Sequence, residues 1–192
     1  PETERVMISR DFGYAEFPEA QTESKPYLFI KEYDSSAFEN MPVTLTEGRF
    51  PEKEGELLIS EDILYYGKET YEIGSTVTLA VGNRYADEAL LPQNSPVSDD
   101  EEFREHTTNE YTVTGVMETP MFGNPAGHTA IAYLERSVIG SSEPVNVSVR
   151  VDSLHDIYEI VPDMAEASGA ENVSYNNELL RWSGVSDDNS VN

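Results

Sequence analysis

Apolar residues recur along this chain at two spacings, and the spacings divide it into short strands and shorter helices. Glu56-Leu57-Leu58-Ile59-Ser60 is an apolar run after a Pro/Gly-rich lead-in and predicts a buried strand. Ser60 can cap a short helix, with Glu61 and Asp62 in its first turn and Gly67 as its stop. Thr76–Val81 alternates, with Val77, Leu79 and Val81 on one face. Tyr111–Thr114 alternates likewise, and Gly115 marks a bulge or bend. Upstream, Tyr27-Leu28-Phe29-Ile30 follows Pro26 and is apolar on both faces, which predicts a central strand. Val6–Ile8 predicts a strand edge, while Gly13 and Pro18 mark turns. Asp34 or Ser35 caps a helix with Phe38 and Met41 on its apolar side, and Pro42 ends it.

Downstream, Thr129–Leu134 predicts a strand and residues 134–139 a helical turn. Val145, Val147, Val149 and Val151 alternate with polar residues, the cleanest half-buried strand pattern in the chain. Asp152 or Ser153 then opens a helix, with Asp156 placed for a capping box and Leu154, Ile157, Val161, Met164 and Ala165 on one face. Pro162 should kink or split that helix, and Gly169 should stop it. Val173 and Tyr175 predict a short strand. Asn176 caps a last helix carrying Leu179, Leu180 and Trp182, closed by Gly184, and residues 185–192 read as a frayed polar tail. Two stretches carry no period. Residues 83–109 read as a long polar surface excursion, either mobile or functional, with one helical turn near Glu102–Glu105. Met117–Gly127 carries Met121 and Phe122 on a Gly/Pro loop, where they either tuck under the sheet or form an adaptable binding surface.

The chain's 192 residues suit one domain, or one domain with a sizeable insert. Charge narrows the partners: 12 Lys and Arg stand against 37 Asp and Glu, a formal net charge of -25. Such a surface repels phosphate backbones and anionic headgroups, which excludes nucleic acid and leaves solubility or a cationic partner as its use. There is no cysteine, hence no disulfide, thiolate metal site or cysteine nucleophile. No apolar run approaches the roughly 18–20 residues that a spanning helix needs, and the opening Pro-Glu-Thr-Glu-Arg is not a signal peptide. The chain therefore reads as a piece whose targeting or membrane parts lie outside it.

Chemistry is harder to find. No phosphate-binding glycine loop occurs, and His106, His128 and His155 are too scattered for a zinc motif. The acidic runs Asp99–Glu102 and Asp187-Asp188 lack the spaced carboxylates and central glycine of a calcium loop. No G-x-S-x-G elbow appears. The expectation is a non-enzyme with no catalytic, cofactor-binding or metal residues to nominate.

One ordered series is more specific. GRFPEKEGELLIS, a short helix, IGSTVTL and YTVTGVME resemble the large extracytoplasmic (MacB-like periplasmic core) domain of FtsX/MacB-family ABC-transporter permeases, through Gly48, Arg49, Pro51, Glu56, Ile73, Gly74, Leu79, Val113 and Gly115. The resemblance implies an α+β fold in which the two chain ends, 1–45 and 143–192, form a porter-like βαβ half. Residues 46–142 would be a second mixed α/β lobe inserted between them. It also implies a place on the extracytoplasmic side of the cell membrane and a polar tail leading to a membrane helix. The implied partners are a second permease copy, an ABC ATP-binding subunit reached through the membrane part, and an extracytoplasmic protein or peptide. The implied role is non-catalytic: coupling cytoplasmic ATP hydrolysis to an extracytoplasmic partner or substrate. The alternative is a secreted cell-surface binding module without a transport role.

Overall fold

Strand extends further along this chain than its apolar runs alone predict. The computed structural model describes residues 3–20, 22–121, 123–140, 143–151 and 153–185, and of residues 3–5 the backbone only. The elements are β1 (Thr3–Glu16), β2 (Tyr27–Tyr33), α1 (Ser35–Asn40), β3 (Leu45–Gly48), β4 (Glu56–Ser60), α2 (Glu61–Gly67), β5 (Thr76–Ala86), β6 (Ala89–Leu90), β7 (Glu102–Met117), β8 (Gly127–Tyr133), β9 (Asn146–Val151), α3 (Ile157–Ser168) and α4 (Asn177–Trp182). The result is a mixed α+β fold dominated by one sheet with a few short helices, which agrees with the expected class.

Contacts divide the chain into two units: residues 1–6 with 149–192, and residues 7–148. The first unit is discontinuous, and it is narrower than the 1–45 with 143–192 half anticipated from the sequence. The reason lies in the pairing. β1 and β2 bond to strands of the middle segment: β2 runs parallel to β8, with Leu28 opposite His128, and β1 meets β5 at Tyr14 and Ala15.

Within the larger unit the pairings close on themselves. β4 lies parallel to β7 and antiparallel to β8; β8 pairs with β2, β2 with β1, β1 with β5, and β5 returns to β7. Six strands thus form a ring, which leaves none of the six as an open edge along its whole length. Alternation puts Leu28, Ile30, Leu57, Ile59, Val77, Leu79, Val81, Val113, Ala130 and Ala132 in one buried cluster, the ring's filling. Phe17, Ile63 of α2 and Tyr71 join the same cluster at the end where β1 and β4 finish. Outside the ring, Met7, Tyr33, Leu58, Met117 and Ile131 pack with Ala37 and Phe38 of α1. That helix starts as predicted: the Asp34 side chain accepts from Ala37 N at 2.7 Å.

Residues 83–109 depart from expectation. There is no helical turn at Glu102–Glu105. β5 and β7 pair from Thr76 opposite Thr112 to Tyr85 opposite Glu102, with one register shift between Val81 and Gly82, and form a long two-stranded arm. Buried Arg84 then holds the connecting segment down. Its guanidinium donates to Ser95 O and Pro96 O, each at 2.9 Å, and to both Glu101 carboxylate oxygens at 3.0 and 2.5 Å. Tyr14 O–H donates to Gln93 O at 2.9 Å, and Asn124 Nδ2 donates to both at 2.9 Å.

In the smaller unit, α3 runs through Pro162 without splitting and ends on Gly169 in the left-handed conformation, φ +68°. The predicted apolar face of α3 is half-buried, with no residue fully buried. α4 starts on Asn176, whose side chain accepts from Leu179 N at 3.1 Å. Val173–Tyr175 is not a strand; Tyr175 instead sets its ring 5.0 Å from that of Tyr158. The expected half-burial of the valine strand is realised weakly, since Val147 is exposed.

Candidate binding cavity

The residues of the recognisable series turn out to build backbone junctions. Gly48 has φ +77°, and a Cβ there would lie 2.4 Å from Thr114 O. A Cβ on Gly115 would lie 2.5 Å from Arg49 O and 2.9 Å from Glu47 O, so β3 and β7 approach closely only because both positions are glycine. Arg49 then forks onto Glu56, with Nη1 to Oε2 at 2.7 Å and Nη2 to Oε1 at 2.6 Å, while Glu52 N donates to Oε2 at 2.9 Å. The Arg49 bonds hold the Glu56 carboxyl down at about 2, against the opposing effect of its desolvation. This explains the GR-x-P…E spacing as a clasp on the start of β4.

A cavity of about 410 Å3 opens at the other end of the ring, where β2 and β8 finish and β4 begins. The strand period sets its floor. Leu28 and Ile30 face the ring interior, so Glu32 does too, and Arg10 lies opposite Glu32 in register. Arg10 Nε donates to Glu32 Oε2 at 2.6 Å and its Nη1 to Glu143 Oε2 at 2.5 Å, and its guanidinium carbon sits 5.1 Å from the centre of the Phe12 ring. Tyr111, interior by the same alternation, accepts from Asn109 Nδ2 at 3.1 Å. Glu54, Glu110, Tyr133, Leu134, Glu135 and Val138 also line the space. Burial pushes the Glu32 carboxyl above its ordinary range. Arg10 opposes that shift, and the charges on Glu143 and Glu54 add to it.

A second polar cluster sits at the capped end. His128 Nδ1 is hydrogen-bonded to Asp62 Oδ2 in the first turn of α2, and the imidazole lies among the rings of Phe17 and Tyr66. Burial is the largest single influence on the Asp62 carboxyl and raises it, but the His128 bond, the Ser60 hydroxyl and the charge on His128 together outweigh burial and the net shift is downward. The Ser60 hydroxyl also favours the charged Asp62, although it meets no hydrogen-bond geometry; Ser60 Oγ and His128 Nε2 are buried without a hydrogen-bond partner. Asp62 stands between Ser60 and His128, so the trio lacks the order that activates a serine, in which histidine must be central.

Of the other histidines, His155 is exposed, and His106 is exposed with its ring edge against Phe12. No group of three or more potential ligands among the described residues could hold a metal ion. Met121 is fully exposed rather than tucked under the sheet, while Phe122 lies outside the described residues. Sequence reasoning missed Glu32 and Arg10. The available signal was parity: Glu32 continues the Leu28–Ile30 face.

No protein-family model matches the chain, and no curated protein sequence matches it. Solved structures do. The extracellular domain of a noncanonic ABC-type transporter, YknZ, from Gram-positive bacteria superposes with a TM-score of 0.53 at 13% identity, over 87% of this chain and 77% of that one. A domain of a proposed permease from Porphyromonas gingivalis matches at 18% identity over 87% of this chain and 71% of that one, with a TM-score of 0.47. The chain thus shares the fold of a transporter extracellular domain. None of its described helices is long and apolar enough to cross a membrane.

Proposed function

We propose that this chain is the extracytoplasmic domain of an ABC-transporter permease of the FtsX/MacB type, acting by displacement rather than by bond-making. The observation that carries the reading is the fold shared with the YknZ extracellular domain over 87% of the chain. The ordered glycine and Arg49–Glu56 junctions supply independent support, because they are the residues through which the sequence resembles that family. In this reading the porter-like, membrane-side half is the smaller unit, residues 1–6 with 149–192, and the inserted lobe is the larger unit that carries the strand ring, so β1 and β2 move from the first half to the lobe relative to a division at residue 45. A filled ring with a clasped β4 suits a body that moves as a unit when a cytoplasmic ATP-binding subunit turns over. A second permease copy and an extracytoplasmic protein or peptide complete the assembly.

The test uses the absence of cysteine. Met121→Cys in the parent protein gives a unique exposed thiol in this domain. A membrane-impermeant maleimide should label it in intact cells, and the protein should stay with the membrane through alkaline extraction. Labelling only after permeabilisation would refute the location. Release into the medium would favour a free-standing secreted binding module.

A further inference from the structure

We infer that the mouth of the strand ring takes a lysine or arginine side chain from a partner peptide, held between the Glu32, Glu54 and Glu110 carboxylates and the Phe12, Tyr111 and Tyr133 rings. The inference stands on the cavity's chemistry and not on the transporter reading.

Its volume, about 410 Å3, falls within the roughly 300–1,000 Å3 typical of ligand pockets. Four glutamates line it, and among the described residues Arg10 is the only lining cation. Arg10 is already shared between Glu32 and Glu143, so it cannot neutralise the rest. Glu32 is nine-tenths buried, where uncompensated charge costs most and a second cation gains most. Burial and the neighbouring carboxylates raise its proton affinity, which marks a site short of positive charge. The aromatic component matters equally. Arg10 already places its guanidinium against the Phe12 ring, so the wall displays the carboxylate-and-ring combination that a second cationic side chain would use. Metal ions are poor candidates because the described acids form no ligand group. Anions are repelled by the same four carboxylates. A long alkyl stem ending in a cation can cover exposed Val138 while its head reaches the acids.

The test is an amide-resolved NMR titration of the 192-residue chain with the peptide acetyl-Ala-Lys-Phe-Ala-amide. It is run at about 0.15 M salt, where the Debye length of about 8 Å screens long-range attraction. Saturable shifts are expected at Phe12, Thr108 and Tyr133, and the same peptide with norleucine for lysine should leave those amides unmoved. The double variant Glu54→Gln/Glu110→Gln, exposed positions that should not disturb folding, should raise Kd about fivefold or more. Removing as much charge elsewhere, with Asp99→Asn/Asp100→Asn, should change it less than about twofold. Equal weakening by both pairs, shifts scattered over the surface, or no shift at the cavity amides would each overturn the inference.

Discussion

Glu56 and Arg49 give the clearest case in which one side-chain pair sets a measurable property. The Glu56 carboxyl is held at about 2 in the fold against an ordinary value of 4.5. Its folded-state value is depressed, so its contribution to stability is present above about 4.5 and drains away as pH falls toward 2. Urea unfolding midpoints should therefore fall more steeply over that window in the native protein than in Arg49→Ala. Parallel slopes would show that the clasp is not what lowers Glu56. Gly115→Ala drives a methyl into Arg49 O and Glu47 O and should cost about 2–3 kcal/mol by urea unfolding. Two caps were legible at this scale, since Asp34 and Asn176 hydrogen-bond as their residue types predict, whereas Ser60 at the start of α2 and Ser153 ahead of α3 make no capping bond through their side chains. Arg84 and Glu32 were not, because a charged residue in a strand reads as solvated until something is seen to cover it.

At the scale of elements, the segment joining β5 to β7 is held chiefly by the buried Arg84–Glu101 pair, with Tyr14 and Asn124 adding bonds to Gln93 O. Arg84→Ala strands Glu101 and releases Ser95 O and Pro96 O, and should cost about 3 kcal/mol or more. Limited proteolysis should then cut between 91 and 101 well before the ring opens, and uncut 91–101 would refute the strap. The helix α3 offers the opposite sign. Pro162 occupies its interior, so Pro162→Ala should stabilise the smaller unit by about 2 kcal/mol after the more flexible unfolded chain is allowed for. An unchanged melting midpoint and helical CD signal would argue against it. The same scale explains the error at 83–109. A two-stranded ribbon with much of its surface in water has no continuous apolar stripe, so its period is invisible, whereas cross-strand hydrogen bonding is not.

At the scale of the whole molecule, the two units differ in what they bury. The ring is filled by side chains with almost no exposure, while α3 buries none of its residues fully. Hydrogen exchange should rank accordingly, with β2, β4 and β8 amides protected to near global unfolding and α3 amides opening at far lower free energy. Equal protection would mean that the two units unfold as one. The chain alone located the apolar cores of β2, β4, β5 and β8 and the caps at Asp34 and Asn176, because apolar period and capping chemistry act within a few residues, and its glycines and the Arg49–Glu56 spacing carried the family resemblance. Only tertiary structure decided that six strands close into a ring, that Arg84 is buried and that Glu32 faces a cavity. Those outcomes depend on pairings between residues far apart in sequence, such as Leu28 with His128, and local pattern carries no information about which strand a strand will meet.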